Sequence, residues 1–140
     1  MERISKHISF DEATKSITAI RRGIFNKPGE TELANMKLVA EKCFEPLREW
    51  YGNPIKINSF YRSKALNTAV GGSSTSDHVK GMAIDLDTGN NAENLKLFNW
   101  LKDNVSYKQL IFEYGNKLGP DWIHISYDEK DLRGQILYIK

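Results

Sequence analysis

The chain has 140 residues, 40% of them hydrophobic and 27% charged, a composition that describes one globular domain with a substantial core and excludes a disordered chain. A net charge of +2 gives no drive toward nucleic acid and no obstacle to an anionic polymer such as a cell wall. The single cysteine, Cys43, excludes an intramolecular disulfide and a cysteine-based zinc site.

The opening run MERISKHISF lacks the apolar stretch of a secretory signal, and nothing downstream has the length to span a membrane. The expectation is a protein made in the cytoplasm without a signal peptide. Ser9-Phe10-Asp11-Glu12 reads as a capping box opening a helix that ends near Gly23. After the loop Asn26-Lys27-Pro28-Gly29, Thr31 is the next N-cap. Leu33, Met36, Ala40, Cys43, Leu47 and Trp50 then recur at helical spacing in the longest helix, which Gly52-Asn53-Pro54 stops. Cys43 falls on its apolar face and reads as core packing.

Beyond Pro54 the period changes. Ile55 to Asn58 alternates as a strand, Ser63 to Ala69 reads as a short helix, and Val70 to Thr75 is a loop by composition. Met82, Ile84 and Leu86 alternate against Ala83, Asp85 and Asp87, a strand with one apolar and one small or acidic face. Asn91 to Asn104 is amphipathic through Leu95, Phe98 and Leu101. Leu110 to Tyr114, Trp122 to Tyr127 and Gln135 to Ile139 are strand-like. Helices come first and most strands later, which predicts an α+β fold, with N-terminal helices packed on an antiparallel sheet. The whole of 1–140 reads as one domain, a helical part over 1–53 followed by a core over about 54–127.

The chain has three histidines. His7 lies in a polar segment and reads as a surface residue. His78 and Asp85 lie in SDHVKGMAID, and His124 in the otherwise apolar DWIHIS. Zinc–ligand bonds of about 2 Å bring two ligating atoms within roughly 4 Å, whereas seven extended residues would span more than about 20 Å. The chain must double back between His78 and Asp85, and Gly81 supplies the backbone freedom for a reversal. With His124, three ligands and an open fourth position form the arrangement of a catalytic zinc.

Such a site needs a general base. Asp121, three residues before His124, is the first candidate and Glu113 on the preceding strand the second. Strict alternation would put 121 and 124 on opposite faces. That objection is met if the strand starts after Asp121, as Gly119 and Pro120 imply.

Ser76-x-His78-x-x-Gly81-x-Ala83-x-Asp85, followed by Asp121-x-x-His124, resembles the zinc D-alanyl-D-alanine carboxypeptidase family of peptidoglycan peptidases. That family includes D,D-carboxypeptidases, D,D-dipeptidases and phage L-alanyl-D-glutamate endolysins. Ser59-Phe60-Tyr61-Arg62-Ser63, with Ala65-Leu66-Asn67 after it, is similar to its segment carrying a substrate-binding arginine. The resemblance implies that His78, Asp85 and His124 bind Zn²⁺ and that Asp121 is the catalytic acid/base. It further implies that Arg62 holds the substrate carbonyl or oxyanion, and that Ser76 hydrogen-bonds near the ligands or substrate. The substrate implied is a peptidoglycan stem peptide, cut by a carboxypeptidase or an endopeptidase, in a monomeric enzyme that acts on the wall after release or as part of a virion. A zinc-stabilised, non-catalytic wall-binding or phage structural module is the alternative. A nucleic-acid binder is excluded, since Arg21-Arg22 alone makes no basic stripe with interleaved aromatics.

Overall fold

The computed structural model describes residues 3–140. A small antiparallel pair, β1 (Arg3–Ser5) and β2 (Ile8–Ser9), precedes the helices; the sequence pattern had not suggested it. His7, in its turn, is no free surface residue. Its Nδ1 lies 2.6 Å from Glu45 Oε1, and its backbone N–H donates to Glu45 Oε2 at 2.9 Å.

The capping box at Ser9 is present, with Glu12 N–H donating to Ser9 Oγ and the Glu12 carboxylate accepting from Ser9 N–H. The helix it opens is short: α1 (Phe10–Thr14) gives way at Lys15 to extended backbone, and Ser16 caps a separate α2 (Ile17–Arg22). One expected helix is therefore two. A cap-forming serine in mid-pattern is the cause, because its hydroxyl competes with the helix interior for backbone N–H groups.

The long helix starts two residues earlier than Thr31 as N-cap would place it, with Gly29 as the N-cap and the Glu32 carboxylate accepting from Gly29 N–H. It runs as α3 (Glu30–Val39), a π-helical turn over Ala40–Phe44, and α4 (Glu45–Tyr51). Pro46 explains the turn: it lacks an N–H, and its ring crowds the carbonyl four residues back. The wider turn, in which Glu45 N–H reaches Ala40 O, carries the chain past that defect. Trp50, expected on the apolar stripe, is about half exposed and stacks on Trp100 at 5.3 Å. Cys43 is fully buried, and burial pushes its thiol pKa up to about 12, so it is an inert core residue.

The remaining elements are β3 (Lys56–Ser59), α5 (Lys64–Ala69), β4 (Ala83–Asp87), α6 (Asn91–Asn104), β5 (Gln109–Glu113), β6 (Trp122–Ser126) and β7 (Gln135–Ile139). The five strands form one sheet in the order β3-β4-β6-β5-β7. The first three pairings are antiparallel, but β7 pairs parallel to β5, so the sheet is mixed where an antiparallel one was expected. The stretch between β6 and β7 carries the chain across β5 to its outer edge, which fixes that direction.

The fold is α+β. Ile84 and Leu86 of β4, Ile123 and Ile125 of β6 and Leu110 of β5 join Met36, Val39, Leu47, Leu97, Phe98 and Leu101 in one buried cluster. Helices α3, α4 and α6 thus cover one face of the sheet, and burial of that face is the main stabilising term. The alternate residues, Asp85 and His124 among them, point to the other face. No helix among the described residues is long and apolar enough to cross a membrane.

Candidate metal centre

Asp85 and His124 stand directly opposite one another in the β4–β6 ladder. Cross-strand partners in such a pair have Cβ atoms about 5 Å apart, and here Asp85 Oδ1 lies 3.0 Å from His124 Nδ1. Both neighbours of Asp85 are fully buried on the helix face, so the register of β4 is held by its apolar residues and the carboxylate is delivered to the opposite side.

His78 arrives from a 3₁₀ turn, Asp77–Lys80. Ser76 opens the turn, its Oγ accepting from His78 N–H at 3.2 Å. Gly81 closes it at φ +72°, with its N–H donating to His78 O. A side chain at 81 would be strained in that conformation, and its Cβ would come within 2.5 Å of Glu32 O on α3. Glycine is required twice over, for the reversal and for the close approach of the turn to the helix. The buried Asp77 carboxylate accepts from Lys108 Nζ at 3.1 Å through both oxygens, tying the turn to the start of β5.

The Phe60 carbonyl lies 2.7 Å from His78 Nδ1. A carbonyl can only accept, so Nδ1 carries the proton and Nε2 carries a lone pair. That Nε2 is buried, lies 3.2 Å from Asp85 Oδ1, and forms no hydrogen bond. A buried nitrogen without a partner costs about 1–3 kcal/mol, and here it is aimed at the other two donors. Ligand atoms from His78, Asp85 and His124 all lie within 4.8 Å of one another. Two nitrogens and one carboxylate oxygen at these separations suit a tetrahedral Zn²⁺ with a fourth position open, and the carbonyl behind His78 is the usual kind of partner that orients a ligating imidazole. Burial alone would raise the Asp85 pKa, but the two histidines, when charged, outweigh it and hold the carboxyl well below the usual carboxylate range.

Arg62 is at the rim. Its Nη2 lies 3.7 Å from Asp85 Oδ2, its Nε donates to Ser59 Oγ at 3.1 Å, and its Nη1 donates to Asn67 Oδ1 at 3.3 Å. The Asn67 amide cannot turn over freely, because its Nδ2 donates to Ser73 O at 2.8 Å. Asn67 is buried and entered the sequence reading only as part of the run after Arg62, with no role; Asp77, Lys108 and the Phe60 carbonyl escaped it. A buried polar residue in a short helix leaves no periodic signal.

Asp121 does not join the cluster. It is exposed, and its carboxylate accepts from Asn91 Nδ2 at 2.9 Å, at the start of α6 on the helix side of the sheet. As Gly119 and Pro120 imply, β6 starts after Asp121; the Asp121 N–H donates to the O of Glu113, the residue that pairs with Trp122, so the ladder is irregular at this end. Glu113, by contrast, pairs with Trp122 while Ile111 pairs with His124, so Glu113 shares the face of His124, one step along on the adjacent strand. Burial and then the charge of Asp85 raise its pKa, against the opposing effects of His124, the Trp122 indole N–H and His78.

The family model for peptidase M15 matches residues 6–126, a span that includes the three clustered donors, Arg62 and Glu113. No curated protein matches the chain. With a match over most of its length and a His-Asp-His donor set suited to the zinc these enzymes use, the chain belongs to the peptidase M15 family of metallopeptidases.

Proposed function

We propose that the protein is a zinc-dependent peptidase that hydrolyses peptidoglycan stem peptides, with His78, Asp85 and His124 holding the ion. The observation that carries this reading is the bare Nε2 of His78, buried and aimed at Asp85 and His124. The peptidoglycan substrate rests on the likeness of the Ser76-to-Asp85 motif to peptidases of that polymer. Zinc bound there supplies a Lewis acid and makes water a competent nucleophile at neutral pH.

The chain's own groups supply the rest. Glu113, rather than Asp121, is the general base: it faces the cluster, and burial biases it toward holding a proton. It accepts the proton of the attacking water and returns it to the departing amine. Arg62, braced by Ser59 and Asn67, donates to the substrate carbonyl and to the negative charge that develops on it. Ser76 serves the site by capping the turn that presents His78.

Metal content by mass spectrometry on wild type and His124→Ala, paired with amine release from purified peptidoglycan, tests the reading. Near-stoichiometric zinc in wild type, lost in the variant, with amine release that needs Glu113, is the expected result. Zinc without amine release from several wall types would favour a zinc-stabilised binding module, and protein never exposed to chelator yet free of zinc would overturn the site.

A further inference from the structure

Helix α2 is turned inside out. Its buried residue is Ala19, the smallest it has, whereas Ile17 and Ile20, one turn apart on the outward side, are 61% and 73% exposed. The period that elsewhere in the chain buries apolar residues is here reversed. Phe25, just past the Gly23 cap, is 76% exposed, and the Ile24 N–H, donating to Ala19 O, holds it close to the helix end. Val70 at the end of α5 is exposed as well. Because α2 packs on α5, and Ile17 and Val70 line one cavity, these side chains belong to one surface. Apolar side chains exposed singly need no explanation, but a group of them marks an interaction surface.

The charge around the group is of one sign. Between Glu12 and Glu30 the chain has no acidic residue, and between Glu49 and Asp77 it has none either. In those stretches Lys15, Arg21, Arg22, Lys27 and Lys64 are all exposed, and none is ion-paired among the described residues.

A partner has to take both features. A second copy of this chain would cover the apolar side chains but set like charges against one another. An anionic polymer would meet the cations and leave Ile20 and Phe25 in water. The boundary of an anionic bilayer offers acyl chains to the one set and headgroup phosphates to the other.

We propose that α2, the turn over 23–27 and the adjoining end of α5 form a peripheral docking face for an anionic phospholipid membrane. Ile17, Ile20 and Phe25 enter the headgroup boundary, while Arg21, Arg22 and Lys27 meet the phosphates. Attachment is interfacial, with no spanning segment, and it goes beyond the peptidase reading without depending on it.

The test sediments the full chain with vesicles of equimolar phosphatidylglycerol and phosphatidylcholine, with pure phosphatidylcholine vesicles as the control. Affinity is expected to be at least about tenfold higher on the anionic vesicles and to fall as salt rises. Arg21→Gln/Arg22→Gln should lower it about tenfold, and Ile20→Ser/Phe25→Ser by a similar factor. Circular dichroism should show both variants folded, since all four side chains are exposed. Absence of binding to the anionic vesicles would overturn the proposal. Salt-dependent binding that Ile20→Ser/Phe25→Ser leaves intact would also overturn it, and would mark an electrostatic surface suited to an anionic polymer. A dimer in sedimentation velocity that the same variant abolishes, with no vesicle binding, would give the face to a second copy instead. Vesicle binding is read without cleavage, so its failure and that of the peptidase reading are separate results.

Discussion

Asp85 Oδ1 lies within 3.2 Å of both His78 Nε2 and His124 Nδ1, although the chain that carries His78 has reversed direction through Gly81 to bring it there. One carboxylate oxygen between two imidazoles is a costly arrangement without a cation, since one imidazole nitrogen is left bare in the interior. The same geometry becomes favourable when a divalent ion is shared among the three.

The identity of the general base separates two residues cleanly. Glu113→Gln should retain zinc and fold while losing on the order of 10²–10⁴ in kcat. Asp121→Asn, on the helix side of the sheet, should keep kcat within about tenfold and lose about 1 kcal/mol of stability through its contact with Asn91. Steady-state kinetics with metal analysis on both variants decides it. A large loss of kcat in Asp121→Asn with activity retained in Glu113→Gln would restore the role that the motif alone suggested.

Gly81 should tolerate no side chain. Alanine there meets a left-handed φ and the Glu32 carbonyl together, a combination expected to cost about 2 kcal/mol or more. Displacing the turn also moves His78, so zinc affinity should fall with stability. Denaturant unfolding and competitive chelator titration on Gly81→Ala measure the two effects; loss of stability with unchanged zinc affinity would mean that the turn does not govern the ligand.

How much of this was legible in the sequence follows from the range of the interactions. The π-helical turn reflects Pro46, and the break between α1 and α2 reflects Ser16; both are local signals that were present and were overridden by the apolar period. The cluster of His78, Asp85 and His124 was legible because a metal site imposes its residue types directly. The placement of Glu113 was not, because it shares the face of His124 only through a β5–β6 register set by Leu110, Ile123 and Ile125 in the core. The parallel pairing of β7 was equally hidden, since a parallel and an antiparallel edge strand of five residues carry the same alternation.

The Asp77–Lys108 pair should behave as a buried ion pair behaves when it is broken. Lys108→Met leaves the Asp77 carboxylate buried beside His78 with no countercharge, which is expected to cost about 3 kcal/mol and to weaken zinc binding about tenfold through the turn. Adding Asp77→Asn removes the uncompensated charge and should recover most of the stability. A double-mutant cycle by thermal unfolding gives the coupling, and additive effects of the two changes would show that the pair does not act as a unit.

Acid should loosen the N-terminal hairpin before the sheet. Burial alone would raise the Glu45 pKa, but hydrogen bonds from Ser5 Oγ and from His7 outweigh it and leave the carboxyl below its ordinary value. A carboxyl whose folded pKa is depressed contributes stability that is fully present above the unfolded value of about 4.3 and is lost as pH falls from there through the folded value. Glu45→Gln should therefore lower stability by about 1 kcal/mol at pH 7 and show a flatter decline below about pH 4.3 than wild type. Urea unfolding of both proteins from pH 7 to pH 3 reads the difference. Parallel acid limbs would show that Glu45 does not carry the acid sensitivity, and a wild type no more stable than the variant at pH 7 would remove the hairpin anchor as a source of stability.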